Sequence, residues 1–104
     1  MNRKPDLIIE AVRYDPQGRI KLVRIYERRG PTYSDLRLID RQELLKRLRA
    51  NQRVWIGERQ PYLASTFQLK TPVHLFGSKG SEMIISEKVA NPNDRDDLQD
   101  APLF

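Results

Sequence analysis

The chain has 104 residues, of which 38% are apolar and 32% charged, and its formal net charge is +5. That length can bury one modest core and no second one, and no run of about 18 apolar residues offers a membrane-spanning helix. The absence of cysteine excludes disulfides, thiolate chemistry and sulfur-ligated zinc. Near the start only Leu7, Ile8 and Ile9 are consecutively apolar, too few for a secretory signal, so a cytoplasmic protein is expected.

Residues 7–14 and 19–28 predict a β-hairpin around Asp15-Pro16-Gln17-Gly18. Pro16 suits the second position of a type I turn, and Gly18 supplies the left-handed residue that closes it. With Asp15 opposite Arg19, one face pairs Tyr14 with Ile20, Val12 with Leu22, Glu10 with Arg24 and Ile8 with Tyr26. The other face pairs Ala11 with Val23 and Ile9 with Ile25. Apolar pairs on both faces place this hairpin in the middle of a sheet. Gly30-Pro31 ends it, and residues 33–39 predict a third strand.

Asp40 followed by Glu43 predicts a helix start with a capping box, and Ile39 and Leu44 occupy the positions of a hydrophobic staple. Leu44, Leu45 and Leu48 form one stripe, and Asn51 suits the helix end. Residues 53–59 and 62–69 predict two further strands, and 73–76 with 83–88 a last hairpin. The expected fold is α+β: a mainly antiparallel sheet of five to seven strands, OB-like in its element order, with one helix between the third and fourth strands. Residues 1–89 form the domain.

From Ala90 onward Pro, Asn and Asp dominate and apolar residues are scarce, the composition of a disordered segment. The charge changes sign at the same point. Residues 1–89 hold 18 Lys and Arg against 10 Asp and Glu, whereas 90–104 hold four aspartates against Arg95. A basic body with an acidic tail points to electrostatic binding of a polyanion.

No cluster specifies a reaction. His74 is the only histidine and falls in a predicted strand, no nucleophile elbow or phosphate loop is present, and Gly77-Ser78-Lys79-Gly80 reads as a turn. Glu10 is accounted for by Arg24 across the hairpin. The dense carboxylates lie in the tail, away from any rigid frame, so neither catalysis, a metal nor a cofactor is expected.

A binding surface has more support. Single-stranded nucleic acid is held by a basic groove with aromatic rings on which bases stack. Arg53, Trp55, Gly57 and Arg59 alternate onto one strand face with Tyr62 just beyond, and Arg24, Tyr26 and Arg28 form a second row by the same period of two. These seven basic and aromatic residues, Gly57 apart, are the expected nucleic-acid contacts. A non-catalytic module for an anionic polymer is the leading reading. The alternative is a protein-interaction subunit whose sheet is completed by a partner chain or a second copy.

The ending, from Asp94 through Asp96, Asp97 and Asp100 to Pro102, Leu103 and Phe104, resembles the acidic tip of bacterial single-stranded DNA-binding proteins. It differs in carrying Arg95 and Gln99 among the acids and in the place of Pro102. The resemblance implies a tip that docks on a protein partner through Asp96, Asp97, Asp100, Pro102, Leu103 and Phe104 and competes with DNA for the basic body.

Overall fold

The computed structural model describes residues 5–34, 36–60, 67–77, 82–87, 96–99 and 101–104. Seven strands and one helix follow in the order β1 (Leu7–Tyr14), β2 (Ile20–Arg29), β3 (Thr32–Tyr33), β4 (Arg37–Asp40), α1 (Arg41–Arg49), β5 (Val54–Arg59), β6 (Phe67–Phe76) and β7 (Met83–Ser86). The strands make one sheet in the order β3-β2-β1-β5-β6-β7, with β4 also paired to β2, and the sheet curls into a half-barrel. Every pairing is antiparallel except β1 with β5. That exception follows from the helix. Both β1 and β4 run opposite to β2, and α1 carries the chain past β2 and β1 so that β5 is laid down in their common direction, the connection that parallel strands require. No helix among the described residues is long and apolar enough to cross a membrane.

The helix forms where the sequence places it. The Asp40 carboxylate accepts from the Glu43 amide at 2.9 Å, and Ile39 and Leu44 are both buried. Glu43 does not return the bond. Its side chain accepts from Arg47 one turn on, at 2.7 Å. At the other end Asn51 is left-handed, with φ 63°. The amides of Asn51 and Gln52 donate to the carbonyls of Leu48 and Arg47, which is the Schellman closure of a helix.

The expected third strand is divided. β3 pairs with Arg28 and Arg29, and β4 with residues 22–25 of the same long strand. Between them Ser34 bonds the Glu27 backbone twice, donating its amide to the carbonyl at 2.7 Å and accepting from the amide at 3.0 Å. The helix therefore lies between β4 and β5. Conversely, 67–69 and 73–76 belong to one strand, β6. Pro72 stands inside it opposite Trp55, and the register shifts so that Lys70 is the extra residue. Residues 61–66 lie outside the described residues.

The hairpin keeps the expected partners at both ends, with Leu7, Ile8 and Ile9 opposite Glu27, Tyr26 and Ile25, and Tyr14 opposite Ile20. Between them the register slips by one at Glu10 and returns at Lys21. Each bulge moves one residue out of the alternation. Val12 thereby joins Leu7 and Ile9 on the core face, and Val23 remains there opposite it. Strict alternation would have set Arg24 opposite Glu10; instead Glu10 accepts from the Tyr26 hydroxyl at 3.0 Å. Leu7, Ile9, Val12, Val23, Ile25, Ile56 and Ile84 form the floor of the core, and Leu44 and Leu45 from α1 close it from one side.

The expected disordered tail is corrected over its described part. Leu98 is 2% exposed and belongs to the core, and Asp96 is 3% exposed. The Asp96 carboxylate accepts from the amides of Ile20 at 2.7 Å and Ile84 at 2.9 Å, and from Arg41 Nε at 2.7 Å and Nη2 at 3.1 Å. Asp97 bridges to Ile85 and Leu103 to Val12, both in parallel. Composition misled here because one buried carboxylate with four donors and one leucine outweigh the ordering entropy that the remaining polar residues cannot repay.

Burial by itself raises the Asp96 carboxyl, but the hydrogen bonds from Arg41, Ile20 and Ile84 and the Arg41 charge outweigh it, and the carboxyl is held below its usual range. A depressed carboxyl stabilises the fold at pH above its unfolded value, about 3.9, and that stabilisation disappears as pH falls through the folded value. Asp96→Ala is expected to cost about 3–5 kcal/mol at neutral pH, because Arg41 loses its partner in a partly buried place. Urea denaturation at pH 7 and pH 3 measures this: the wild type falls steeply between the two, and the variant, already without the pair, falls less.

Candidate nucleic-acid interface

The face of the sheet opposite the core is organised by cross-strand rows. Tyr26 lies opposite Ile8, Ile8 beside Trp55, and Trp55 opposite Pro72, so two of the three expected aromatic residues belong to one row across four strands. The neighbouring row is built on Asp6. Its carboxylate accepts from the Arg53 amide at 2.9 Å and stands 3.9 Å from the Arg28 guanidinium. The Arg53 carbonyl accepts in return from the amides of Asp6 and Leu7. Arg28 and Arg53 therefore flank one carboxylate next to the Tyr26–Trp55 row. The two stretches singled out in the sequence meet on one surface.

Their exposure differs. Tyr26 is 6% exposed, with the Phe67 ring packed on it at 4.9 Å between centroids and Tyr33 in edge contact with Phe67 at 4.8 Å. Burial, then the hydrogen bond to Glu10 and its charge, raise the Tyr26 hydroxyl, and Arg59 nearby pulls the other way. Tyr26 thus serves the packing of this face, and the half-buried Trp55 is the ring left open in the row. Arg59 is exposed at the far end of β5. Arg24 lies apart from both rows, 4.4 Å from the Phe104 ring centroid, with Arg13 4.6 Å from the same centroid. Tyr62 lies outside the described residues.

Beside Trp55 the surface opens into a cleft of about 530 Å³ between the end of α1 and strands β5 and β6. Asn51, Gln52, Arg53 and His74 supply its polar groups, and Leu48, Trp55 and Pro72 are among its apolar ones. Asn51, Gln52 and His74 were not among the expected contacts. The available signal was Gln52 two places past the helix end, where an apolar residue ordinarily packs back on the last turn. His74 is exposed, 3.9 Å from Glu87.

Among the expected docking residues, Asp96 is committed to Arg41 and two backbone amides. Asp97 exchanges backbone bonds with Ile84 and Ser86. Phe104 lies between Arg13 and Arg24, and its carbonyl accepts from Arg13 Nε at 3.0 Å. Pro102 and Leu103 are exposed, Leu103 by 72%. Asp100 lies outside the described residues.

Comparison with protein families, with curated proteins and with solved structures finds no match to this chain. The site therefore stands on its own geometry. No group of three or more His, Cys, Asp or Glu among the described residues could hold a metal ion.

Gly57, two residues beyond Trp55 on the same strand, is buried. A Cβ there would stand 2.9 Å from the Gln68 carbonyl oxygen and 3.3 Å from Ile8 Cγ2. Its role is the close approach of β6 at the register shift. Gly57→Ala is expected to destabilise the fold by about 1–3 kcal/mol, read from the denaturation midpoint.

Proposed function

We propose that the protein is a non-catalytic binding module for single-stranded nucleic acid, with Trp55 as the stacking ring and Arg53, Arg28 and Arg59 as the phosphate contacts. The observation that carries this reading is the placement of a half-buried tryptophan on an open cleft, directly beside a row of two arginines and on the same strand as an exposed third. Arginine neutralisation of phosphates releases counterions, and each stacked base adds about 1–3 kcal/mol. Arg24 belongs to the reading in a different way. Its face, with that of Arg13, is occupied by Phe104, so the C-terminal residues withhold two cations from the polymer.

A protein-interaction role is favoured by a separate observation. β4 pairs only with β2 among the described residues, and it carries Leu38 at 56% exposure, with Leu36 next to it at 44%. An exposed edge with leucines is a surface on which another chain adds a strand. A molecular mass above that of the monomer in size-exclusion chromatography with light scattering would favour it.

Fluorescence anisotropy with a labelled oligonucleotide, single-stranded and duplex, at two salt concentrations tests the first reading. The single strand is expected to bind more tightly. Trp55→Ala should weaken it roughly 5- to 150-fold with unchanged circular dichroism, and Arg59→Gln should reduce the salt slope by about 0.7. If Trp55→Ala melts the domain, or no oligonucleotide binds, the reading fails. In the same assay Phe104→Ala, which uncovers Arg13 and Arg24, is expected to tighten binding; unchanged affinity removes the withholding role of Phe104.

A further inference from the structure

The cleft contains a group whose chemistry is unfinished. Gln52 Oε1 is buried without a hydrogen-bond partner among the described residues, and an amide oxygen left in that condition is costly. The backbone around it cannot shift to relieve this. The Gln52 amide is tied to the Arg47 carbonyl in the helix closure, and the Arg53 amide and carbonyl are both tied to residue 6. The side chain can turn. Gln52 lines the cleft, so rotation of its terminal amide would bring the oxygen to the cleft wall, where water satisfies it until a ligand's donor takes water's place.

Two further features select what that ligand is. The cleft opens at the C-terminal end of α1, the carbonyl end of the helix dipole, which favours hydrogen-bond donors and disfavours phosphate. The adjacent walls, Trp55 and Pro72, are apolar and suit a flat ring. A ring with an amino group on its edge meets both requirements. Glutamine, like asparagine, pairs with adenine through two bonds, accepting from the exocyclic amine while its own NH₂ donates to a ring nitrogen.

We propose that this cleft receives one nucleobase carrying an exocyclic amino group, adenine foremost, with Gln52 Oε1 accepting from that amine while the base stacks on Trp55. The proposal rests on the nucleic-acid reading above and adds a specificity-determining residue to it. Phosphates stay outside at Arg28 and Arg59, while Arg53, which lines the cleft, meets the nucleotide at its wall. A site that hydrogen-bonds an amino group rejects the analogue that lacks it, because its own polar atom returns to an unpaired state.

The test compares two single-stranded probes of equal length, an oligodeoxyadenylate and its counterpart built from unsubstituted purine, which stacks alike but has no amine. The wild-type protein is expected to bind the purine strand about five- to tenfold more weakly. Gln52→Leu is expected to bind both equally, and to be no less stable than the wild type because it removes the unpaired oxygen. Equal binding of the two strands by the wild type would overturn the selectivity and leave the nucleic-acid reading in place, and this arm needs no variant. Failure of both strands to bind would overturn the two together. A Gln52→Leu protein that folds and retains the preference would show that another group reads the amine.

Discussion

The fold depends on one carboxylate. Asp96 accepts from the first amide of β2, from an amide of β7 and from the first residue of α1, and these three elements are a strand next to one end of the sheet, the strand at its other end and the helix packed on it. A curled sheet that stops at half a barrel leaves its end strands facing one another across a gap. Asp96 spans that gap with bonds that an apolar residue could not supply. Because the carboxylate is charged and its donors include a guanidinium, each bond is of the stronger class; because it is shielded from water, none is diluted by solvent.

The rest of the C-terminal segment follows from that anchor. Leu98 enters the core two residues later, and residues 102–104 run beside β1 beyond the point where β5 leaves it, with Val12 donating to the Pro102 carbonyl and accepting from Phe104. Unpaired edge groups of β1 are thereby satisfied where no named strand reaches them. The two arginines on the outer face then close over Phe104. An acidic, proline-bearing segment thus provides hydrogen-bonded edge cover, a core residue and an aromatic surface within its described residues.

On the outer face, packing and availability are divided between the two aromatic residues of one row. Phe67 covers Tyr26, while Pro72, opposite Trp55, is flat, small and without an amide hydrogen, so the indole keeps an open side at the cleft. Much of this was legible in the residues: the basic and aromatic rows do meet, through Ile8 and Asp6. What periodicity could not show is which ring is covered, since the cover comes from Phe67, more than forty residues from Tyr26 along the chain. The cleft was equally hidden, because Gln52 and His74 become neighbours only when the helix end is set against β6.

Local chemistry determined a great deal. The Asp40 cap, the Asp15-Pro16-Gln17-Gly18 turn, the central hairpin with its partners at both ends and the leucine stripe of α1 are short-range consequences of side-chain geometry, and the sequence alone specifies them. Tertiary structure decided the rest. The bulges at Glu10 and Lys21 arise because Val12 and Ile20 gain more from the core than strict alternation gives. The parallel pairing of β5 arises because the helix must cross two strands. The ordering of residues 96–99 and 101–104 arises because Asp96 finds its four donors on β2, β7 and α1, partners 12 to 76 residues away that no reading of its neighbours could reveal.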